Sequence, residues 1–341
     1  MKPKVLIIYT GGTIGMIQDS ETGVLKAFDF KHLSNQIPEL SRLNIDLSSE
    51  SFEKPVDSSE MNPKHWAMIA QIIFDNYANY DGFVVLHGSD TMAYSASALS
   101  FMLQGLQKPV IFTGSQLPIG TIRTDGKENL ITSIEIAAAK NSDGTAIIQE
   151  VGIYFEYSLY RGNRTSKISS SAFEAFASPN FSELAVAGVL INYQLKEKYP
   201  ENRDLELFSN FDNRVALLKI FPGFSAEIYQ SLFNIEKVKA IVIESFGAGN
   251  VPSDDFFKTL VKDYLNSGGI ILNITQCNTG KVDQGKYETS SFFDKIGVVG
   301  GNDLTTEAAL TKLMYLLGKY TTKTEISAKL KESICGEMTI N

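Results

Sequence analysis

The sequence predicts an α/β fold, because short apolar runs that end at turn residues alternate with longer segments of helical periodicity. Three early runs, Lys4–Tyr9, Gly82–Leu86 and Pro109–Thr113, are almost continuously hydrophobic. Such strands are typical of a largely parallel sheet that helices cover on both faces. Three later runs have the same character: Val215–Ile220, Ala240–Glu244 and Ile270–Ile274.

The segments between these strands predict helices. Asn62 followed by Pro63 is a typical helix start, since Asn caps well and Pro suits the first helical position. Met92–Leu103 comes directly after the second strand and is long enough for a helix. Lys127–Lys140 and Thr305–Leu317 show similar periodicity. The repeated strand–turn–helix order supports the α/β class.

A chain of 341 residues is long for one domain, so we expect two. The stretch 192–213 is dense in charged residues, Asn and Pro, and a new strand pattern begins after it. We therefore predict a larger N-terminal catalytic domain over residues 1–192, a linker over 193–213, and a smaller C-terminal domain over 214–341.

Composition excludes several classes of function. Hydrophobic residues make up 43% of the chain and charged residues 21%, so a large core can form. The net charge of −8 predicts no general affinity for nucleic acid or anionic membranes. No apolar stretch reaches the ~18 residues of a membrane span. Two cysteines and the absence of a secretory signal indicate the cytoplasm. Three scattered histidines predict no histidine-built metal site.

Parallel α/β sheets bind ligands beyond the carboxyl ends of their strands, so polar clusters after strands are the candidate site. The first strand runs into Thr10-Gly11-Gly12-Thr13-Ile14-Gly15, where the glycines allow a sharp bend that presents the Thr13 hydroxyl. An ordinary tight turn is the simpler interpretation. A phosphate loop is not supported, since the segment matches neither common nucleotide motif.

The second candidate cluster is sharper. The strand that ends at Leu86 is followed by His87-Gly88-Ser89-Asp90-Thr91 and then by a helix. Helix capping by Ser89 or Asp90 is the simpler interpretation. However, a cap needs only one polar side chain, and four occur here.

Two further clusters are candidates. Asp57-Ser58-Ser59-Glu60 precedes the first helix, and it can either cap that segment or hold the charged groups of a small ligand. The basic run 161–167, which ends at Lys167, reads by default as a solvated loop. A hydroxyl nucleophile needs a base, and no G-x-S-x-G motif is present. A buried lysine can serve in that role, so Lys167 is a candidate.

Eight ordered segments together resemble the L-asparaginases, specifically the bacterial cytosolic type I branch. They are YTGGTIGM (9–16), DSSEM (57–61), HGSDTMAYSASALSFML (87–103), TGSQLPIGTIRTDGKENL (113–130), LYRGNRTSK (159–167), FASPN (176–180), TQCNTGKV (275–282) and DLTTEAALTKLMYLLG (303–318).

The resemblance implies hydrolysis of L-asparagine to L-aspartate and ammonia through a β-aspartyl ester on Thr13. Thr91, Lys167 and Asp90 would form a supporting Thr–Lys–Asp triad. Asp90 would also bind the substrate ammonium. Substrate-binding roles would fall on four further positions: Asp57, Ser58, Ser59 and Ser89.

The resemblance also implies an architecture and an assembly. The larger N-terminal domain would carry a mixed, flavodoxin-like sheet, and the smaller C-terminal domain a parallel one. Active sites would lie near the subunit interface of a homodimer or homotetramer. The reaction would need no metal and no organic cofactor.

Two positions depart from the family pattern. Many members have a tyrosine on the loop after the nucleophile, and Val24 occupies that position here, so the lid must use another group. Some type I enzymes also have an allosteric asparagine site, whose cysteine Cys277 matches. Glu244 replaces the arginine expected there, and this reversed charge predicts weak binding of a carboxylate.

Other functions remain as alternatives. Glutamine differs from asparagine by one methylene, worth only ~1–3 kcal/mol, so glutaminase activity is the nearest one. The glutaminase component of a tRNA amidotransferase usually has an extra N-terminal region, and this chain starts at its first strand. A ligand-binding module without turnover predicts loss of a catalytic residue, yet Thr13, Thr91, Asp90 and Lys167 are all present.

Overall fold

The computed structural model describes residues 2–15, 17–18, 25–26, 37–194, 204–284 and 288–340. Val24, the position of the lid group, and residues 195–203 of the predicted linker lie outside the described residues. The chain divides into two compact units, Met1–Ser209 and Asn210–Asn341.

The first unit is built on an eight-stranded sheet within the described residues. The strands of this unit are β1 (Lys4–Tyr9), β2 (Ile17–Gln18), β3 (Leu25–Lys26), β4 (Asp46–Ser51), β5 (Gly82–Leu86), β6 (Leu103–Gln104), β7 (Val110–Thr113), β8 (Val151–Phe155), β9 (Ser158–Arg161), β10 (Ser166–Lys167), β11 (Phe176–Ala177), β12 (Ala185–Ala187), β13 (Ile191–Tyr193) and β14 (Glu206–Leu207). The main sheet has the order β13-β12-β9-β8-β7-β5-β1-β4. The pairs β2–β3, β6–β14 and β10–β11 form separate ribbons.

Helices connect these strands. The α-helices of the first unit are α1 (Pro63–Asn76), α2 (Met92–Met102) and α3 (Gly126–Ala138). Short 3₁₀ helices cover Thr13–Gly15, Pro38–Arg42, Ser58–Glu60, Ser89–Thr91 and Gly162–Arg164.

The main sheet is mixed. The five strands β4, β1, β5, β7 and β8 run parallel, and β9, β12 and β13 add antiparallel pairs at one end. Every side chain of β5 is buried, as is that of every β1 residue after Lys4. The α/β class and the mixed sheet are therefore confirmed, because parallel strands covered on both faces need continuous hydrophobic runs.

One strand of the main sheet has no hydrophobic pattern. The sequence of β4 is DLSSES, and most of its side chains are exposed at the edge of the sheet. Its residues pair in parallel with β1, from Lys4 with Asp46 to Tyr9 with Ser51. Backbone hydrogen bonds to a neighbouring strand define this element, so side-chain patterning does not predict it.

The predicted start of α1 is confirmed. Asn62 is the N-cap, and its Oδ1 accepts a hydrogen bond from the backbone N–H of Lys64 at 3.1 Å. Pro63 occupies the first turn, where a missing N–H costs no helical hydrogen bond.

The second unit contains a four-stranded parallel sheet in the order β15-β16-β17-β18. Its strands are β15 (Val215–Lys219), β16 (Ala240–Ser245), β17 (Ile270–Thr275) and β18 (Val299–Gly300), and its helices are α4 (Ala226–Tyr229), α5 (Asp255–Asn266), α6 (Glu288–Ile296), α7 (Thr306–Lys319) and α8 (Lys323–Leu330). A 3₁₀ helix covers Gln230–Phe233. In the ranges described for the whole chain, no helix has the length and apolarity to cross a membrane.

A fully buried ion pair ties the last residues of the second unit to α7. Lys312 Nζ lies 2.7 Å from Glu337 Oε1, and neither side chain is exposed. Lys312 also donates to the backbone carbonyls of Leu330 and Glu332. Burial alone raises the pKa of Glu337, but the Lys312 ammonium and the N–H groups of the preceding turn outweigh it and hold that pKa below its usual range.

We predict that Glu337→Gln destabilises the second unit by about 3 kcal/mol, because it leaves the Lys312 charge buried without a counter-charge. Thermal unfolding followed by circular dichroism measures the loss, and amide hydrogen exchange locates it in residues of the second unit. Glu332→Gln is the matched control, since Glu332 pairs with Lys329 at the surface. Equal effects of the two substitutions would contradict the prediction.

The same pair predicts an acid sensitivity. A carboxyl group whose pKa is lowered by folding stabilises the protein above its unfolded pKa of about 4.3, and that stability is lost as the pH falls through the folded pKa. We expect the unfolding temperature of wild type to fall as the pH drops below the unfolded pKa of the Glu337 carboxyl. The Glu337→Gln variant should lack the contribution of this carboxyl to the pH dependence. Parallel pH profiles of the two proteins would refute the assignment.

Candidate functional site

The loop that follows β1 is tied to the end of β5. Thr10 donates two hydrogen bonds to the carbonyl of Leu86, from its backbone N–H at 3.1 Å and its hydroxyl at 3.0 Å. The backbone N–H of Val56 donates to the carbonyl of Thr10 at 2.8 Å. The two parallel strands therefore end side by side, and the segment before Asp57 joins them.

Glycines let these loops approach each other closely. A Cβ on Gly12 would lie 2.4 Å from the backbone nitrogen of Gly88, and a Cβ on Gly11 would lie 2.1 Å from the carbonyl oxygen of Val56. A Cβ on Gly88 would lie 2.6 Å from Ser58 Oγ. Gly11 and Gly12 also have φ values of 137° and 88°. Only glycine suits these positions.

Thr13 begins a 3₁₀ helix at this junction. Its side chain is partly exposed, whereas Ile14 and Gly15 behind it are buried. A Cβ on Gly15 would lie 2.3 Å from the ring of Tyr9. The buried side of the turn thus packs on the end of β1, and Thr13 occupies its accessible side.

The turn Ser89–Thr91 does not carry a side-chain cap. Gly88 is its N-cap, and neither the turn nor the start of α2 has a capping hydrogen bond from a side chain. The capping interpretation of Ser89 and Asp90 is therefore wrong. Thr91 Oγ1 instead donates to the carbonyl of Ser58 at 2.6 Å. The backbone N–H groups at this helix start suit a negatively charged group.

Lys167 reaches this turn from another strand. It lies in β10, opposite Phe176 of β11, and only 14% of its side chain is exposed. Its Nζ lies 2.6 Å from Asp90 Oδ1 and donates to Ser89 Oγ at 2.8 Å. Among the residues with described positions, no hydrogen bond joins Thr91 to Lys167. The structure therefore brings together Lys167, Asp90 and Ser89, while Thr91 faces Ser58.

The residues before Lys167 are buried, so the interpretation of this segment as a solvated loop is wrong. Arg161 Nε lies 2.5 Å from Glu150 Oε2, with only 2% of the arginine side chain exposed. Asn163, Arg164 and Thr165 are also buried. Because these residues are buried, the backbone that carries Lys167 is held in a fixed position.

Asp57 behaves as a cap. Its Oδ1 accepts from the backbone N–H of Ser59 at 2.9 Å and from the Ser59 hydroxyl at 2.8 Å. These hydrogen bonds hold the pKa of Asp57 below its usual range. Ser58 is buried under Gly88, whereas Ser59 is exposed. Asp57 thus orients Ser59, one of the two serines that the resemblance assigns to the substrate carboxylate.

The four candidate clusters of the sequence do not include one loop at this edge of the sheet, although its segment is part of the resemblance. After β7, a Cβ on Gly114 would lie 2.4 Å from the carbonyl oxygen of His87. The buried Asp125 accepts hydrogen bonds from the backbone N–H groups of Gln116 and Leu117. The signal was a polar TGSQ segment directly after a buried strand, the same pattern that marked the other two loops.

The carboxyl edge of the second unit holds Glu244 in a satisfied cluster. Glu244 Oε2 lies 3.3 Å from Lys219 Nζ, and its Oε1 accepts from the Thr306 hydroxyl at 2.6 Å. Cys277, which follows β17, is exposed. Across the described parts of the chain, no group of three or more His, Cys, Asp or Glu side chains is placed to hold a metal ion.

Comparisons with known proteins agree over the whole chain. The family described as "Asparaginase, N-terminal" matches residues 4–199, and the "Glutaminase/Asparaginase C-terminal domain" matches residues 214–330. L-asparaginase 1 of Escherichia coli (strain K12) is 40% identical over 343 residues, which cover 99% of this chain and 98% of that protein. The two-unit α/β chain therefore belongs to the asparaginase family.

Two further similarities are informative. The crystal structure of L-asparaginase I from Vibrio cholerae O1 biovar eltor str. N16961 matches with a TM-score of 0.90 and 37% identity, covering 100% of both chains. A glutamyl-tRNA(Gln) amidotransferase component of Pyrococcus abyssi (strain GE5 / Orsay) is 33% identical over 99% of this chain and 77% of its own length.

We predict that Gly12→Ala destabilises the first unit more than Gly144→Ala. Both glycines have a positive φ, 88° and 86°, so both substitutions impose a strain of about 1 kcal/mol. Only Gly12 faces a backbone atom, while nothing lies within 4 Å of a Cβ on Gly144. Urea unfolding followed by the fluorescence of Trp66, the single tryptophan, measures both. Equal midpoints would contradict the loop contact.

Proposed function

We propose that the chain is an L-asparagine amidohydrolase that releases L-aspartate and ammonia, with Thr13 as nucleophile. The observation that supports this most is the convergence of three loops and Lys167 at one edge of the parallel sheet. Relatives along the whole chain are named L-asparaginase, which supports the same activity.

The proposed chemistry has two steps. The Thr13 hydroxyl attacks the carboxamide carbon, the C–N bond breaks, and ammonia leaves with the hydroxyl proton, so that a β-aspartyl ester remains. Water then attacks the ester, regenerating the hydroxyl and releasing aspartate. N–H groups at the start of α2 would stabilise the negative oxygen that develops in each step.

Lys167 would hold the side chains of Asp90 and Ser89 in fixed positions. Thr91 donates its own proton to the Ser58 carbonyl, so its lone pairs remain available to accept a proton or hydrogen bond from a reacting group. Asp90 is paired on one oxygen with Lys167, and 69% of its side chain is exposed. That exposure leaves room for the substrate ammonium, while Ser58 and Ser59 would bind its carboxylate.

The domain boundaries, the assembly and the cellular location are further proposals. We propose a catalytic domain over residues 1–192, a linker over 193–213 and a second domain over 214–341. The resemblance supports a homodimer or homotetramer with active sites near the subunit interface, and a cytoplasmic location. Light scattering of the purified protein tests the assembly.

We predict that Thr13→Ala abolishes ammonia release from L-asparagine, because no other hydroxyl would form the acyl-enzyme. Thr13→Ser is the matched control, since it keeps the hydroxyl and should retain part of the rate. Coupled assays of ammonia from asparagine and from glutamine measure both. Undiminished hydrolysis by Thr13→Ala would overturn the nucleophile assignment.

Glutamine hydrolysis, alone or for an amidotransferase, is the second candidate, and the relationship to an amidotransferase component favours keeping it. One methylene separates the two substrates. Contacts to the pocket should therefore change the transition-state free energies of the two reactions by only ~1–3 kcal/mol relative to each other. A higher kcat/KM for glutamine than for asparagine would select this candidate.

We also predict a hyperbolic rate response to asparagine, because Glu244 carries a negative charge where a carboxylate would have to bind and is paired with Lys219 and Thr306. Initial rates over a wide range of asparagine concentration test this. Sigmoidal kinetics that a Cys277→Ala substitution abolishes would contradict it.

A further inference from the structure

A buried chain of hydrogen bonds leads from α1 to the turn of the candidate site. The indole N–H of Trp66 donates to Ser95 Oγ at 2.9 Å, and Ser95 Oγ lies 2.9 Å from His87 Nε2. His87 Nδ1 lies 2.7 Å from the carbonyl oxygen of Gly88. Trp66 is 5% exposed, and Ser95 and His87 are fully buried.

The direction of each hydrogen bond follows from chemistry. An indole N–H can only donate and a carbonyl oxygen can only accept. Ser95 therefore accepts from Trp66 and has its own proton free for His87 Nε2. Nε2 is then the acceptor, so Nδ1 must carry the proton that is donated to Gly88. Burial lowers the pKa of His87 to about 4, so the ring is neutral at pH 7 and has one such proton.

The ring is also held from the side. Its centroid lies 5.8 Å from that of Phe112, with the planes at 60°, so rotation about the side-chain bond is restricted. The imidazole therefore sets the direction of the Gly88 carbonyl. Because that carbonyl belongs to the Gly88–Ser89 peptide, the ring sets the start of the turn Ser89–Thr91.

Gly88 is also where the other loops meet. Its backbone nitrogen lies against Gly12, one residue before Thr13, and its Cα faces the side chain of Ser58. A small rotation of this peptide would move the turn relative to both loops. We infer that Trp66, Ser95 and His87 form a positioning relay that orients the Gly88 carbonyl and thereby aligns the turn Ser89–Thr91 with the Thr13 loop. The catalytic consequence rests on the proposed function.

Loss of the Ser95 hydroxyl would disturb the relay without touching the site. His87 Nε2 would lose its donor, and the Trp66 N–H would lose its acceptor. The ring would then be held by hydrogen bonding only at Nδ1, so it can tilt, and the Gly88 peptide that accepts from Nδ1 can rotate with it.

The test compares Ser95→Ala with two partner variants. Ser95→Thr keeps a hydroxyl and should restore function. Ser100→Ala is the matched control, since Ser100 is a buried serine of α2 whose hydroxyl donates only to the carbonyl of Ala96 in its own helix. We expect kcat for ammonia release to fall by about tenfold to hundredfold in Ser95→Ala, as for a slightly misplaced catalytic group. We expect partial recovery in Ser95→Thr and no change in Ser100→Ala.

Two readouts are independent of activity. Nitrogen-15 NMR of the histidine rings should show His87 protonated on Nδ1 in wild type and Ser100→Ala, with the Nε2 resonance shifted in Ser95→Ala, where Nε2 loses its hydrogen bond. Amide hydrogen exchange of the peptide containing Ser89–Thr91 should become faster only in Ser95→Ala. His87 protonated on Nε2 in wild type would overturn the relay. An unchanged exchange rate and kcat in Ser95→Ala would overturn the positioning role.

A second pair of variants keeps the inference falsifiable if Ser95→Ala does not fold. In His87→Asn the amide nitrogen can occupy the place of Nδ1 and donate to Gly88, whereas His87→Leu has no donor. Slower exchange of the turn in His87→Asn than in His87→Leu is expected, and equal rates would count against the relay. If wild type releases no ammonia, the proposed function fails, while NMR and exchange still decide the relay.

Discussion

The close contact of Gly12, Gly88 and Ser58 is the constraint on which the candidate site depends. The three residues belong to loops that leave different elements of the first unit, and their atoms lie too close for any additional side chain. The contact determines where Thr13 begins its turn and where Ser89–Thr91 starts. Because backbone atoms make the Gly12–Gly88 part of this contact, its geometry is stiffer than that of flexible polar side chains would be.

Interactions of different strength support the junction. The Lys167–Asp90 pair is largely open to solvent on the aspartate side, so it contributes little to stability and mainly orients the two side chains. In the Arg161–Glu150 pair the arginine is buried, as are residues 162–165 that follow it. The first unit thus combines a buried segment of fixed position with a lysine whose ammonium group contacts the exposed Asp90 and the partly exposed Ser89. Such an arrangement suits a site that must bind and release a charged small molecule.

The second unit uses the same kind of sheet differently. At the carboxyl edge of its parallel strands, Glu244 is satisfied by Lys219 and Thr306. In the same unit, Lys312 and Glu337 form a fully buried ion pair that holds the last residues against α7. Charges here are neutralised by partners within the unit, in contrast to the partly exposed Asp90 of the first unit.

The sequence by itself determined the α/β class, the buried strands and the ordered motifs of the family, because hydrophobic periodicity and glycine-rich turns are local properties. It did not reveal β4, since that strand has polar, exposed side chains and exists through backbone pairing with β1. Only the tertiary structure decided that Lys167 meets Asp90 and Ser89, and that Thr91 faces Ser58. These contacts join residues 33 to 78 positions apart, and local patterns contain no information on such distances.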